Sequence, residues 1–408
     1  MNASYPHGLL SPSSDPIRSI ETFYVRPRWL FVRVETDKGI VGWGEATLEG
    51  HTEAVEGAFK SLREQFVGWD SAGIEDIWQA AYRLRFYRGG PVLMSAISGL
   101  DIALWDIKGK TLGVPVWQLL GGKVRNKCRC YSWIGGDKPS DVRTAALARK
   151  EQGFTAVKMN GVEMVDWLES PTIIEDAIQR VKDVQSVGLD VGLDFHGRVH
   201  RPLAKQLIRA LEPHRPLFIE EPLLPGHPNE IAALHANTSI PIALGERLFT
   251  RHDFRPYLES GAVDIIQPDL AHAGGISEVR RIAAMADTAY DVGLAPHCPL
   301  GPVALAACLQ IGFSTPNFVI CEMSWGMHYN TNEFDLLTYL LNPEIFAVRD
   351  GMVGLLTGAG IGVEVDEERV RAEDRKWREG GEGIGSEEKA GRWRNPVWRG
   401  VDGGLREW

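Results

Sequence analysis

The chain has few cysteines, no surplus of positive charge and no long uninterrupted apolar run. Its five cysteines include one close pair, Cys128 and Cys130, and that C-x-C spacing matches no paired metal-ligand motif. They read as reduced thiols of an intracellular protein rather than as a disulfide framework. The formal charge of -10 argues against nucleic acid or an anionic membrane as the main partner. A small anionic substrate stays possible, because a bound cation or a local group of Lys and His sets the field there. No apolar stretch reaches transmembrane length, and "MNASYPHGLLSPSSDP" lacks the basic and apolar regions of a signal peptide. A cytoplasmic location is the expectation.

A length of 408 residues exceeds a single core and predicts two domains, or one barrel with additions. Residues 1–16, rich in Ser and Pro, read as a flexible tail. In "WLFVRVETDKGIVGWGEA" two β-rich runs flank Thr36-Asp37-Lys38-Gly39, a hairpin signal. The pattern then turns helical, with Ile97, Leu100, Leu104 and Ile107 on one stripe that ends at Gly113 before Pro115. Residues 17–128 are thus expected to form an α+β unit.

From 129 to about 330 short apolar runs alternate with stretches long enough for a helix. The runs are "CYSWIGG", "AVKMNG", "VGLDFHG", "LFIEEP", "PIALGER", "DIIQPDL", "GLAPHCP" and "FVICEM". Repeated β-then-α units imply a parallel sheet, and eight of them fit a closed β/α barrel. Residues 331–408 differ again. A charged, Gly-rich stretch predicts a mobile insertion near 379–390, and Trp393, Trp398 and Trp408 suggest a terminal segment that docks on something apolar.

The ends of the runs carry the chemistry. Asp194, Glu220 and Glu246 are spaced by 26 and 26 residues, about one β/α unit, so three carboxylates are expected at one rim. In such barrels the C-terminal rim is the reactive one. Carboxylates without a thiolate or clustered His favour a hard cation, Mg²⁺ above all. Within "FIEEP" only one Glu can face inward, and periodicity alone leaves Glu220 and Glu221 open. Asp194 and His196, two apart, would share a face if the strand ran on. Further polar groups follow at strand ends: Lys158 and Asn160 in "KMN", Asp269 in "QPDL", His297 in "APHCP" and Glu322 in "ICEM". Singly, each is a turn residue, a helix cap or a satisfied structural group. As a set they need explaining, since buried charge is costly unless paired or metal-bound. Arg88 in "FYRGG" is a candidate substrate clamp against the plainer reading of a surface ion-pair residue. Cys298 beside His297 has no oxyanion-hole pattern with it, which argues against thiol catalysis.

With "FYRGGP", "YSWIGGD", "LDFHGRV", "FIEEP", "GER", "QPDLAHAGGI", "APHCPLGP" and "GMHYN" in view, the chain resembles the enolase superfamily, and within it the D-galactonate dehydratase group. The resemblance runs from about Ile17 to the C-terminus. It implies a modified (β/α) TIM-type barrel capped by an α+β N-terminal domain, which the C-terminal segment returns to complete. It implies Asp194, Glu220 and Glu246 as Mg²⁺ ligands, His297 supported by Asp269 as base, His196 as acid and Glu322 on the enolate oxygen. Lys158 would give electrostatic support, and Asn160 and Arg88 would help hold the substrate. The implied reaction is dehydration of an aldonate, D-galactonate first, to a 2-keto-3-deoxy acid, in a homo-oligomer. The cap loop "GEATLEGHTEA" and the segment "CEMSWGM" depart from the group's pattern and bear on which sugar acid is used. An epimerase or a dehydratase of another aldonate is the nearest rival, and a metal-binding relative without activity is the non-enzymatic one. Cap segments Glu45–His51 and Phe86–Gly90 are expected to close over the distal hydroxyls.

Overall fold

Three antiparallel strands open the chain, β1 (Ile17–Val25), β2 (Trp29–Thr36) and β3 (Val41–Glu45). The computed structural model describes residues 13–83, 86–136, 141–328, 330, 334–379 and 396–408. Most of the tail, residues 380–390 of the insertion, and Trp393 therefore lie outside the described residues. The hairpin falls where Thr36–Gly39 placed it, with the Gly39 amide donating to the Thr36 carbonyl at 2.9 Å. Helices α1 (Thr52–Phe66), α2 (Ile74–Arg83) and α3 (Pro91–Leu112) cover the sheet. The stripe Ile97, Leu100, Leu104 and Ile107 lies in this unit's own core. Strand β3 presses so closely on α3 that a Cβ at Gly44 would fall 1.9 Å from the Gly99 carbonyl oxygen. Only glycine permits that approach.

After a short helix α4 (Val116–Leu119) come eight parallel strands, one for each apolar run. They are β4 (Lys127–Ile134), β5 (Ala156–Asn160), β6 (Asp190–Asp194), β7 (Ile219–Glu220), β8 (Ile242–Leu244), β9 (Ile265–Ile266), β10 (Gly293–Leu294) and β11 (Cys321–Met323). Each strand from β4 to β9 pairs with the next, and β11 pairs with β4. The ring is completed by backbone bonds from Leu294 to Asn317, from Val319 to Leu294 and from Glu322 to Pro296. Helices α5 (Val142–Glu151), α6 (Thr172–Ser186), α7 (Arg201–Leu211), α8 (Pro228–His235), α9 (Arg251–Glu259), α10 (Gly275–Tyr290) and α11 (Pro302–Ser314) follow the first seven strands in turn. The eighth strand leads instead to a hairpin, β12 (Val348–Arg349) and β13 (Met352–Gly354), which adds antiparallel to β4. The fold is an α/β modified barrel with a separate antiparallel cap.

The barrel interior is layered, and the period of two explains how. Tyr131, Ala156, Phe218, Ala243, Ala295 and Ile320 form one apolar cluster inside the strands. Two residues further along their strands stand Trp133, Lys158, Glu220, Gly245, His297 and Glu322. An apolar floor thus carries a polar storey. Gly192 belongs to the same design, since a Cβ there would fall 2.6 Å from the Phe218 ring.

The last part of the chain has two destinations. Helix α12 (Glu367–Glu379) packs on β1, where the Tyr24 amide donates to Asp374 at 2.9 Å and the Tyr24 ring stacks on Trp377. Residues 396–408 lie elsewhere, at the barrel mouth. Among the described residues no helix is long and apolar enough to cross a membrane.

Candidate active site

Strand register brings the predicted carboxylates level. Asn160 pairs with Asp194, and Asp194 with Glu220. Lys158, buried below them, reaches Glu220 Oε1 at 2.7 Å, Glu322 Oε1 at 3.2 Å and Asp194 Oδ2 at 3.5 Å. Burial opposes the lysine's charge, but Glu220 and Glu322 outweigh it and hold the ammonium well above its ordinary pKa. The other Glu220 oxygen accepts from Gln267 Nε2 at 2.6 Å. Glu221 is buried as well, with a positive φ of 43°, and takes a backbone N–H from Gly245. Burial pushes its pKa up to about 8. "FIEEP" therefore holds two buried acids, one on the lysine and one on the backbone.

His196 corrects one step of the sequence reading. The strand stops at Asp194, so His196 does not share its face by alternation. The chain turns instead, with φ of 48° at His196 and 64° at Gly197, and the His196 amide donates to Asp194 Oδ1 at 2.7 Å. An Asp accepting from the amide two residues on is a local turn device that competes with strand extension. The turn still brings His196 Nε2 to 3.2 Å from Asp194 Oδ2, while Nδ1 lies 3.2 Å from Arg198. Burial, partly offset by Asp194, pushes the imidazole down to about 4.

His297 follows the next-to-last strand of the ring and sits in a different field. Its Nδ1 is 2.9 Å from Asp269 Oδ2, and its Nε2 is 3.0 Å from Glu246 and 3.7 Å from Glu322. Burial alone would lower its pKa, but Glu246, Glu322 and Asp269 carry it well above the usual value. Burial works the other way on Glu246, yet His297 and Arg247 keep that carboxyl low. Glu322 is fixed from behind by the Cys298 amide at 3.0 Å. Two imidazoles thus reach the same acidic storey, one held neutral by burial and one held charged by carboxylates.

A cavity of about 320 Å³ opens above these groups. Lys158, His196, Glu246, His297 and Glu322, all singled out in the sequence, line it. Leu48 and Glu49 come from the expected cap loop, whereas Glu45 is buried at the seam between cap and barrel. Asn160 is buried off the cavity and donates to the Gly136 carbonyl. Arg88 is exposed and lies over the Tyr82 ring, outside the cavity. Sequence reasoning missed Arg28, Arg247, His272 and Trp408, which also line it. Arg247, next to Glu246 in "GER", was within reach of a motif argument. Arg28 and Trp408 come from distant parts of the chain, and no periodicity points to them.

The residues fit a hard cation. Candidate ligand atoms fall within 4.8 Å of one another in two triads, Asp194–His196–Glu246 and Glu220–Glu246–His297, with Glu246 in both. Asp194 Oδ2, buried, makes no hydrogen bond among the described residues, although Lys158 lies 3.5 Å and His196 Nε2 3.2 Å away. A buried carboxylate oxygen that makes no hydrogen bond, beside two more carboxylates, is the oxygen-rich setting that such ions need.

Comparison with known proteins gives a consistent result. The family described as mandelate racemase/muconate lactonizing enzyme, N-terminal domain, matches residues 11–121, and the enolase C-terminal domain-like family matches residues 141–369. A D-galactonate dehydratase of Variovorax paradoxus is 49% identical over 395 residues, spanning 96% of this chain and 100% of that protein. One from Pectobacterium atrosepticum is 50% identical over the same spans. A crystal structure of an enolase from Agrobacterium radiobacter, with sodium and L-malate bound, superposes with a TM-score of 0.83 at 29% identity, covering 96% of this chain and 99% of that one. A member of the enolase superfamily from Salmonella Typhimurium gives 0.79 at 31% identity, covering 88% of this chain and 98% of that one.

Proposed function

This chain belongs to the enolase superfamily, and from that membership we propose a magnesium-dependent dehydratase that converts D-galactonate to 2-keto-3-deoxy-D-galactonate. The observation that carries the proposal is the pair of imidazoles on one cavity, His297 backed by Asp269 at 2.9 Å and His196 across the ring. Elimination of water from a hydroxy acid needs a base at C2 and an acid at the C3 hydroxyl.

In this reading the carboxylate charge that keeps His297 protonated in the free site would be taken up by a cation on Glu246. Neutral Nε2 then takes the C2 proton, while Asp269 holds the ring and stabilises the imidazolium. The electron pair left at C2 forms the enediolate and then expels the C3 hydroxyl, to which His196 delivers a proton, so that water leaves. The enol tautomerises to the 2-keto-3-deoxy acid. Burial keeps His196 neutral in the free site, and an anionic substrate beside it favours its protonated form. The histidines follow the third and seventh barrel strands, β6 and β10, which fits anti elimination. Lys158 and Glu322 face the carboxylate end of the substrate. Asn160 supports the Asp194 strand. A magnesium ion held by Asp194, Glu220 and Glu246 would supply Lewis-acid stabilisation of charge on the substrate carboxylate.

The same proposal divides the chain at residues 17–128, 129–330 and 331–408 into cap, barrel and C-terminal segment, and places the enzyme in the cytoplasm as a homo-oligomer. Exposed Phe86 and Tyr87 on the cap, 89% and 83% accessible, support such assembly. The test is metal-dependent formation of a 2-keto-3-deoxy acid from a panel of aldonates. D-Galactonate should be the best substrate. A preference for another aldonate would reassign the substrate, and C2 exchange without water loss would favour an epimerase.

A further inference from the structure

Residues 396–408 touch the barrel mouth at three places. Trp398, 7% exposed, lies against the Arg198 guanidinium at 4.7 Å, and Arg198 is the residue whose other nitrogen reaches His196 Nδ1. Arg406 forms an ion pair with Asp166 in the loop after β5. Trp408 lines the cavity, its ring 6.1 Å from the His196 imidazole and inclined at 38°. The aliphatic residues of the segment do not take part, since Val397, Val401 and Leu405 are 73%, 112% and 66% exposed. The segment is therefore held by its two tryptophans and one arginine, not by general hydrophobic docking.

We propose that this segment is a wall of the substrate pocket and that Trp408 is a specificity-determining residue, packing against the carbon chain of the sugar acid beside His196. The inference rests on the dehydratase reading above and adds to it. The cavity lining mixes charged groups, among them Lys158, Glu246 and Arg28, with apolar ones, among them Trp133 and Phe249, and the aromatic ring beside His196 is that of Trp408. The charged groups recognise carboxylate and hydroxyls, but offer no flat apolar face to the C–H bonds of a polyol chain beside His196. An indole does, and it also excludes water from the imidazole that must protonate a leaving hydroxyl. Trp398 and Arg406 fix the segment outside the cavity, so little side-chain freedom is lost when substrate binds. One tryptophan is the anchor and the other is the wall.

The test compares Trp408→Ala and Trp408→Phe with the unaltered protein in two readouts. The first is the rate at which diethyl pyrocarbonate modifies His196, followed by mass spectrometry of the His196 peptide. The second is kcat/KM on six-carbon and five-carbon aldonates. Trp408→Ala should expose His196 and speed its modification about tenfold, while Trp408→Phe stays near the unaltered rate. Its preference for the six-carbon acid should shrink by about tenfold, mostly through KM, as expected for lost substrate contact rather than lost chemistry. Unchanged His196 reactivity together with unchanged preference would overturn the proposal. If the unaltered protein dehydrates no aldonate, the dehydratase reading fails by itself, and His196 reactivity alone then decides whether Trp408 is the wall.

Discussion

Two groups of buried carboxylates, at the seam and at the mouth, differ in their partners. At the seam between cap and barrel, Glu45 accepts the Gly301 and Ala304 amides at 2.8 and 3.0 Å, at the start of α11, and the Thr47 hydroxyl at 3.0 Å. Asp106 likewise accepts the amides of Trp43 and Ile361, both at 2.9 Å, beside an ion pair with Lys110 at 2.7 Å. At the mouth, Asp194, Glu220, Glu246 and Glu322 instead share one lysine and two imidazoles, with the His196 and Cys298 amides beside them, and Asp194 Oδ2 makes ionic contacts but no hydrogen bond among the described residues. Backbone donors fix a single geometry and join two structural units. Titratable side chains leave the acids free to exchange partners when a cation or an anionic substrate arrives. Burial alone does not mark function; the kind of partner does.

That contrast breaks if a change at the mouth damages the fold as much as it damages activity. Exhaustive chelation should abolish turnover and added Mg²⁺ should restore it, with the thermal midpoint of the metal-free protein still well defined. Glu246→Gln should lower turnover on the order of 10³-fold, the scale of losing a bound Lewis acid, and leave the circular dichroism spectrum unchanged. Full activity without metal would remove the mouth carboxylates from the account.

The seam predicts the reverse. Glu45→Ala should keep kcat within about threefold but destabilise by about 2–4 kcal/mol in denaturant titration, because two buried amides lose their acceptor. Burial pushes the Glu45 carboxyl up to about 7 from an ordinary 4.5. The folded state then binds this proton more tightly than the unfolded one. Stability from this group is greatest below the unfolded value and declines as pH rises through the folded one. Denaturation midpoints should fall across that window and level off above it, and Glu45→Gln should flatten the decline. An unchanged slope would assign the dependence to other groups.

The smallest effect is expected at Arg88. It is exposed and outside the cavity, so Arg88→Ala should change KM by less than about twofold. A much larger loss would show that its cap segment reaches the substrate, and the line between mouth and surface would have to be redrawn.

The parts legible in the sequence share a physical cause. Each barrel strand was an apolar run ending in polar residues, which marked Lys158, Glu220 and Glu322, and the period of two sets them on the same inner face as Ala156, Phe218 and Ile320 two places before. Local alternation failed where the backbone left the strand. His196 meets Asp194 through a turn with positive φ, which a strand argument cannot foresee. It also failed where the site is built from afar. Arg28 sits in the turn between β1 and β2, where its NH2 reaches Glu49 at 3.0 Å and the Pro299 carbonyl at 3.3 Å, and only the docking of cap on barrel brings these together. Trp408 was read as a docking residue, but which surface receives it depends on the whole fold.

The central claim is that His297 removes the C2 proton while His196 serves only the leaving hydroxyl. Exchange of that proton with solvent deuterium, followed by proton NMR in D₂O with Mg²⁺ and D-galactonate, separates the two steps. His297→Asn should lose exchange and dehydration together, by about 10²–10⁴-fold. His196→Asn should lose dehydration to a similar degree and retain exchange. Exchange that survives in His297→Asn and disappears in His196→Asn would contradict the account and reverse the two roles.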